Sequence, residues 1–444
     1  MYRVNLLFSF LIILLPISLI TGPAIPDITV TLSVIFLILS QLFKKKISDL
    51  FQFNWLKLSL YFWIYLLFSS LFAYNVYIAL AESFIFLRFL FIPLLIYFFV
   101  FDTENKKKIF FIIIFLSIIF VMIDSFYQFL NYNSVTGFQE DIFGYKPEFA
   151  PFNRLTGPFK DLVPGAYVSK FAFLGLIFFH LFISSIKLKQ TLIIIYLGIC
   201  GYFTFISGER MAFATFGLGM LIYILFNKLF NKFILSLSVI FMALLILITV
   251  GLHPSYNDYT IKKSSSIELG LIVEKKFKCN DNSSNICKKE VNFQPRFFSV
   301  IKNFNTSAYG EIYLLSLEMY KNNKIFGIGL NNFKKLCENE IKYNNQLKNI
   351  GCVTHPHNYY LQWLVETGPI GLIGFVIYLT LLINYIVKTK SDYELKLISV
   401  IIFIILFWPI MSTGSLTKNW LGVSTFFLIG IIAFMNKIKI KKNS

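Results

Sequence analysis

Long apolar segments recur along the whole chain and alternate with short polar ones. Twelve of them approach the roughly 20 residues that a helix needs to cross a bilayer. They lie at approximately 5–21, 27–43, 57–73, 84–101, 109–130, 165–185, 191–207, 211–226, 233–252, 363–386, 396–412 and 420–435. The shorter ones suit tilted helices or helices flanked by side chains that reach the interface. The pattern predicts an all-α polytopic membrane protein with about 12 transmembrane helices.

The first apolar segment has a second interpretation, a cleavable signal peptide. Its sequence, "MYRVNLLFSFLIILLPISLITGPAIP", contains no obvious small-residue cleavage site. Removing it would also reverse the charge balance of every later loop. We therefore interpret it as a membrane span.

Composition agrees with this class and the charge distribution adds an orientation. Hydrophobic residues make up 57% of the chain and charged residues only 14%, against about a quarter charged in soluble domains. The formal charge of +18 comes from short lysine clusters between the apolar segments, including 44–46, 106–108 and the C-terminal "KIKIKK". Cytoplasmic loops have this composition, so we expect a bacterial inner membrane protein with both termini in the cytoplasm and no nucleic-acid partner.

Three polar regions are then expected on the periplasmic side. They are a loop at 131–164, the turn "SGERMAF" at 207–213 and a long loop at 253–362. The predicted organisation is thus transmembrane helices 1–9 within 1–252, a large helical periplasmic loop at 253–362, and transmembrane helices 10–12 with a basic tail at 363–444. Long loops are disproportionately functional.

The cysteines fit an oxidising environment for the long loop. Cys279, Cys287, Cys337 and Cys352 all lie within it. The simplest pairing is Cys279–Cys287 with Cys337–Cys352, although four cysteines allow three pairings. Zinc binding is the competing interpretation, but the separations do not match CxxC-type spacing.

The end of the long loop, "THPHNYYLQWLVETGPIG", concentrates polar groups where an apolar helix begins. Pro356 suits the first turn of a helix, which would place His357 and Asn358 in that turn. Asn358, Gln362 and Glu366 recur every four residues and form one polar stripe. The positive end of the helix dipole favours a neutral imidazole, as a general base requires. Capping of a helix at the membrane interface is the plainer alternative.

The same residues resemble the O-antigen ligase signature. His357–Asn358 is followed after nine residues by Gly368-x-x-Gly371, although Leu372 stands where the family has Thr or Val. "NKIFGIGLNNF" at 323–333 is similar to another family segment, with Lys324 in place of proline. The large loop that closes on the histidine motif is also similar. The resemblance covers most of the second half of the chain.

This resemblance implies a metal-independent, inverting glycosyltransferase without a cofactor. It would move a glycan from undecaprenyl pyrophosphate to an acceptor hydroxyl, that of the lipid A core in ligases, at the periplasmic face. His357 would then be the catalytic residue, and His355, Asn358, Glu366, Gly368 and Gly371 would support the acceptor side. Other members join lipid-linked glycans to one another, as O-antigen polymerases do, or glycosylate proteins.

A metal-independent enzyme needs cationic side chains for the departing pyrophosphate, and arginine binds such groups in bidentate fashion. Arg210 lies in a turn similar to the family's "SGSRGA" turn, with Glu209 and Met211 departing from it. Arg154 and Arg296 are the arginines of the two long periplasmic loops. Arg88 lies about one turn inside a span, where an ionisable group suggests function but also suits snorkelling to the headgroups.

Two features keep other functions open. Tyr309 replaces an Arg or His that many relatives carry, and a ligase reaction does not explain "TGSLTKNW" at 413–420, so a polymerase remains the alternative. A transporter would place ionisable groups in the middle of spans, whereas these polar residues collect at the outer ends of spans and in outer loops. Membrane lipids are expected partners in either case.

Overall fold

The computed structural model describes residues 2–133, 137–147, 154–159, 164–257, 304–344, 347, 351–410 and 413–439, with four short strands between 266 and 289. The first half consists of helices α1 Tyr2–Ile13, α2 Leu15–Ser18, α3 Ala24–Phe43, α4 Asn54–Ser70, α5 Val76–Leu95, α6 Glu104–Leu130, α7 Pro164–Phe182, α8 Ile186–Ile206, α9 Arg210–Phe226, α10 Lys232–Leu252 and α11 Pro254–Asn257.

The second half contains α12 Ala308–Asn322, α13 Phe333–Asn339, α14 Ile341–Asn344, α15 Tyr359–Lys388, α16 Tyr393–Leu406 and α17 Asn419–Ala433. Short 3₁₀ turns occur at Leu19–Thr21, Ile47–Phe51, Phe304–Thr306 and Met435–Lys437, and a π-helical turn, Ile96–Val100, continues α5. Three two-stranded antiparallel hairpins complete the described chain: β1 Tyr132–Asn133 with β2 Gly137–Phe138, β3 Ser266–Glu268 with β4 Leu271–Val273, and β5 Phe277–Lys278 with β6 Lys288–Lys289.

The fold is nearly all helical, and the chain is a multi-pass membrane protein. Within the described residues, seven helices are long and apolar enough to cross a membrane, or eight if the pair α1 and α2, bent by 50°, counts as one span. These seven are α3, α5 with its π-helical turn, α6, α7, α8, α10 and α15.

The expected count of about twelve is therefore not confirmed, although each predicted segment falls on a helix. The remaining four, α4, α9, α16 and α17, are 14 to 17 residues long. At 1.5 Å per residue they reach about 21–26 Å, less than the roughly 30 Å of a bilayer core. Hydropathy reports the length of an apolar segment, whereas the helix within it can be shorter: α4 ends before Leu71-Phe72-Ala73, and α16 ends before Phe407-Trp408-Pro409.

The helices are not equally exposed to their surroundings. Helix α17 is buried from Trp420 to Ala433, which makes it a central element of the apolar core. Phe86 and Phe89 of α5 pack against its Phe426, with ring centroids 5.8 and 6.0 Å away. Helix α10 is the opposite case, because the buried residues within it are Leu235, Ser238 and Thr249. A helix with so much outward apolar surface suits contact with lipid.

The long loop folds partly into a helical layer of its own. Leu315 and Met319 of α12 pack with Phe333 and Leu336 of α13 in a small second core. A disulfide joins Cys337 to Cys352, with 5.7 Å between their Cα atoms, and it ends three residues before His355. Cys279 and Cys287 lie outside the described residues.

Candidate functional site

The histidine motif lies just before α15 rather than in its first turn. Asn358 is the N-cap of this helix, and its Oδ1 accepts a 3.0 Å hydrogen bond from the Leu361 amide. The expectation that His357 and Asn358 fall in the first turn was therefore wrong. His357 has a φ of +56°, a left-handed backbone conformation that is uncommon for residues other than glycine.

Thr413, which follows α16 in the chain, holds both histidines. The amide of Thr413 donates a 2.8 Å hydrogen bond to the carbonyl of His357. The carbonyl of Thr413 lies 3.2 Å from Nε2 of His355, which must therefore be protonated. Nδ1 of His355 is then an acceptor for the Thr354 hydroxyl at 2.7 Å. Both ring nitrogens of His355 are thus occupied, and its ring centroid lies 4.1 Å from that of His357.

The two imidazoles are held in the neutral form. Burial lowers the pKa of His355 to about 3, and the neighbouring His357 lowers it further. Burial also lowers the pKa of His357, while a hydrogen bond to the Thr413 backbone opposes the shift. The lowered pKa of His357 is the direction expected from the sequence, and burial is its largest cause.

The polar stripe of α15 is real from Gln362 onwards. Nε2 of Gln362 lies 2.9 Å from Oε2 of Glu366 and 2.6 Å from the hydroxyl of Ser415. Glu366 is only 1% exposed, and its Oε1 accepts no hydrogen bond within the described part of the chain. Gln362 therefore connects α15 to the residues that precede α17, next to the histidines.

The glycines allow the loop backbone to approach α15 closely. Gly368 breaks α15 with a φ of +71°, and a Cβ there would collide with the Ile325 carbonyl. Gly327 has a φ of +73°, and its Cβ would lie 2.6 Å from the Thr367 amide nitrogen. The amide of Gly329 donates to the Glu366 carbonyl at 2.9 Å. Gly371 instead lies within the helix, against the side chain of Thr367.

Residues 413–420, "TGSLTKNW", continue this network beyond the histidines. The Thr417 side chain hydrogen-bonds to Glu82 of α5, and Nζ of Lys418 donates to Oδ1 of Asn331 at 2.9 Å. Asn419 contacts Arg88 at 3.1 Å. The segment that sequence reasoning left without a role therefore lies against α5, α15 and the long loop.

Arg88 does not lie in contact with the histidines. Its NH2 forms a 2.8 Å ion pair with Asp27 of α3, and Asn419 bonds to both partners. Its guanidinium also lies 4.8 Å from the Phe89 ring centroid. Pairing an arginine within an apolar helix with a carboxylate from another helix lowers the cost of burying either charge.

A second group of charges surrounds the start of α9. Glu209 is the N-cap residue of α9, and Arg210 is its first residue. Arg154 and Lys170 both attract the Glu209 carboxylate, which also accepts a hydrogen bond from the Ala166 amide. Burial raises the pKa of Glu209 to about 7 despite these cations. Glu209 thus has three cationic residues next to it or near it: Arg154, Lys170 and Arg210.

Lys170 relates this second group to the 413–420 segment. It is buried in α7, and its Nζ lies 5.8 Å from the Trp420 ring centroid. Trp420 in turn donates to the Leu19 carbonyl at 2.7 Å. The last residue of the segment thus contacts a cation of the Glu209 group, while its first residue contacts the histidines.

Sequence reasoning found part of this site and missed part. The structure brings His355 and His357 together just before Asn358, and Gln362 connects Glu366 to Ser415 of the 413–420 segment. It places Arg154 near Glu209, the residue before Arg210. Arg296 lies outside the described residues. Lys170, Glu209, Glu82, Lys418 and Thr413 were missed. Several of them could have been found from the mostly polar stretch at 413–419, which separates two apolar segments.

One family model matches part of the chain. Residues 195–376 match the family model described as O-antigen ligase. The matched range begins within α8 and includes Arg210, the long loop, the histidine motif and the first half of α15. No curated protein matches the chain.

Proposed function

Residues 195–376 match the O-antigen ligase family model, and on that basis we propose that the chain is a member of this superfamily and catalyses a specific reaction. The protein moves a glycan from undecaprenyl pyrophosphate to a hydroxyl of the lipid A core, with inversion and without a metal or cofactor. The reaction takes place at the periplasmic face of the bacterial inner membrane. Donor, acceptor and sidedness are all parts of this proposal.

The arrangement of the two histidines is the observation that carries the proposal. A neutral imidazole that donates one N–H to the Thr413 carbonyl keeps a lone pair on its other nitrogen. In His355 that second nitrogen already contacts Thr354. His357 is therefore the better general base, and His355 positions the Thr413 backbone that orients it.

The proposed step is a direct displacement at the anomeric carbon. The acceptor hydroxyl gives its proton to His357 as its oxygen forms the new bond to the sugar. The bond from the sugar to the pyrophosphate oxygen breaks at the same time, and undecaprenyl pyrophosphate leaves. Asn358 and Glu366 fix the start of α15 on the acceptor side through Leu361 and Gln362.

Charge on the leaving pyrophosphate is stabilised in this proposal by the cations at the start of α9. Arg210 and Arg154 are the arginines assigned this role, and Arg296 remains a third candidate. The first amides of α9 add the positive end of a helix dipole. Glu209 lies among these cations and sets their positions, because Arg154 and Lys170 are both attracted to it.

One observation favours the polymerase alternative. Tyr309 of α12 packs edge-on against His357, with ring centroids 5.9 Å apart, at a position where many relatives carry Arg or His. A tyrosine instead of Arg or His beside the proposed base alters the place where the acceptor hydroxyl would bind, which is consistent with a different acceptor. In that case the same histidine and arginines act, and the acceptor is a second lipid-linked glycan.

The deciding experiment offers both acceptors to the purified protein. It is incubated with a defined undecaprenyl-pyrophosphate glycan, with and without lipid A core, and the products are identified by mass. Glycan on the core supports the ligase, and a longer glycan still attached to lipid pyrophosphate without core supports the polymerase. Bound but unreacted glycolipid under both conditions would contradict either transferase and favour a transporter.

A further inference from the structure

A cavity of about 560 Å³ opens at the opposite end of α9 from Arg210. It lies between the end of α9, the turn that leads into α10, and the start of α16. Phe226, Lys228, Phe230, Lys232 and Tyr393 are among the residues that line it. No residue of the proposed reaction lines this cavity.

The polar part of the cavity carries positive charge. Lys228 and Lys232 are both exposed, and Nζ of Lys228 lies 4.4 Å from the Tyr393 ring centroid. The Tyr393 hydroxyl donates to the Phe226 carbonyl at 2.8 Å, which fixes this wall. The cavity therefore presents two ammonium groups on a rigid aromatic frame.

The carboxylate behind the cavity is already satisfied. Glu394 is 8% exposed, and its Oε2 accepts a 2.6 Å hydrogen bond from Nδ2 of Asn227. Its Oε1 lies 3.4 Å from the Lys228 amide nitrogen, which donates to it. Glu394 thus holds the turn between α9 and α10 in place, and the side chains of Lys228 and Lys232 remain exposed.

The cavity continues onto an apolar surface. Phe226 is 57% exposed and Phe233 is 79% exposed beside the two lysines. Further along α10, Leu237, Ile240 and Leu244 also point outward. From Phe233 to Leu244 this face is about 17 Å long at the helical rise, roughly the length of an acyl chain.

We propose that this cavity binds the headgroup of an anionic glycerophospholipid whose acyl chain lies along α10. The phosphate contacts Lys228 and Lys232, and the chain covers the apolar side chains from Phe233 onwards. A soluble phosphate compound would use the lysines but leave the apolar face exposed. The combination of cationic cavity and adjoining apolar helix therefore indicates a lipid. Basic residues near an anionic lipid surface contribute about fivefold each to binding.

Native mass spectrometry of the full-length, delipidated protein tests this site. The protein is titrated with phosphatidylglycerol or with phosphatidylcholine of the same acyl chains. We expect the first phosphatidylglycerol to bind more tightly, and K228Q/K232Q to weaken it by about tenfold or more. The charge-preserving K228R/K232R should bind like the unchanged protein.

The matched control removes two exposed lysines elsewhere. Lys44 and Lys46 follow α3, are exposed, and belong to a lysine cluster predicted to face the same side of the membrane. K44Q/K46Q should change the affinity by less than about twofold. Equal affinity for the two lipids, or an equal loss in K44Q/K46Q, would overturn the proposal. Competition by glycerol phosphate as effective as the lipid itself would also overturn it, since the apolar face would then contribute nothing.

Discussion

Thr413 and His357 are joined through their backbones, with the Thr413 amide 2.8 Å from the His357 carbonyl. Fifty-six positions of sequence separate them, and His357 is held in a left-handed conformation at this contact. The contact presents the Thr413 carbonyl to both imidazoles. The proposed base is thus oriented by the segment between α16 and α17 rather than by its own motif.

Replacing His357 by alanine should abolish transfer without disturbing the fold. Loss of a general base lowers the rate by about a hundredfold to ten-thousandfold, which single-turnover assays with a lipid-linked donor measure. His253 is the matched control, because its ring is also partly buried, stacks on Phe129 and contacts the Phe129 carbonyl. H253Q should unfold at a lower temperature yet retain transfer. Near-normal turnover in H357A would remove His357 from the chemistry.

As the pH is lowered, the rate of transfer should stay constant to a lower pH than it would if the base were a histidine with the ordinary pKa of 6.5. The base acts when neutral, so activity is lost as pH falls through its pKa. Burial lowers the pKa of His357 below its ordinary value of 6.5, so the acid limb of kcat/KM should have its midpoint below pH 6.5. The pH profile of kcat/KM for the acceptor checks this. A midpoint at or above 6.5 would contradict a buried, neutral His357.

Arg210 should matter for the donor more than for the acceptor. If it stabilises the departing pyrophosphate, R210A lowers kcat by about a hundredfold to a thousandfold, as removal of other charge-stabilising donors does. R210K should recover only part of the rate, because lysine lacks the bidentate geometry. Arg3, exposed in α1, is the control, and R3A should behave like the unchanged protein. An equal fall in both arginine variants would point to a general effect of charge.

Gly368 should tolerate no side chain. Alanine there combines a φ of +71° with a collision against the Ile325 carbonyl, so G368A should destabilise the protein by more than about 1 kcal/mol and reduce transfer. Gly217 lies in α9, where an added Cβ meets nothing within 4 Å. G217A should therefore be neutral or stabilising by up to about 1 kcal/mol. Thermal unfolding in detergent compares the two, and equal stability would show that the loop can move away from α15.

The sequence by itself determined the class of the protein and the location of its motif. Apolar segments and lysine clusters predicted a helical multi-pass membrane protein, because lipid admits only chains that satisfy their own backbone hydrogen bonds. The spacing from His357 to Gly371 indicated the family that the match over residues 195–376 supports. The sequence placed Asn358 in the first turn of α15, whereas Asn358 is the N-cap of that helix, in agreement with the capping alternative.

Only the tertiary structure decided which distant residues act together. Thr413 meets His357, Arg88 pairs with Asp27, and Lys170 approaches Glu209, and each contact joins different helices or the segments that flank them. Spacing along the chain reports a periodicity within one element, and it carries no information about which elements pack together. Burial, which sets the protonation of His357 and Glu209, likewise exists only once the helices have assembled.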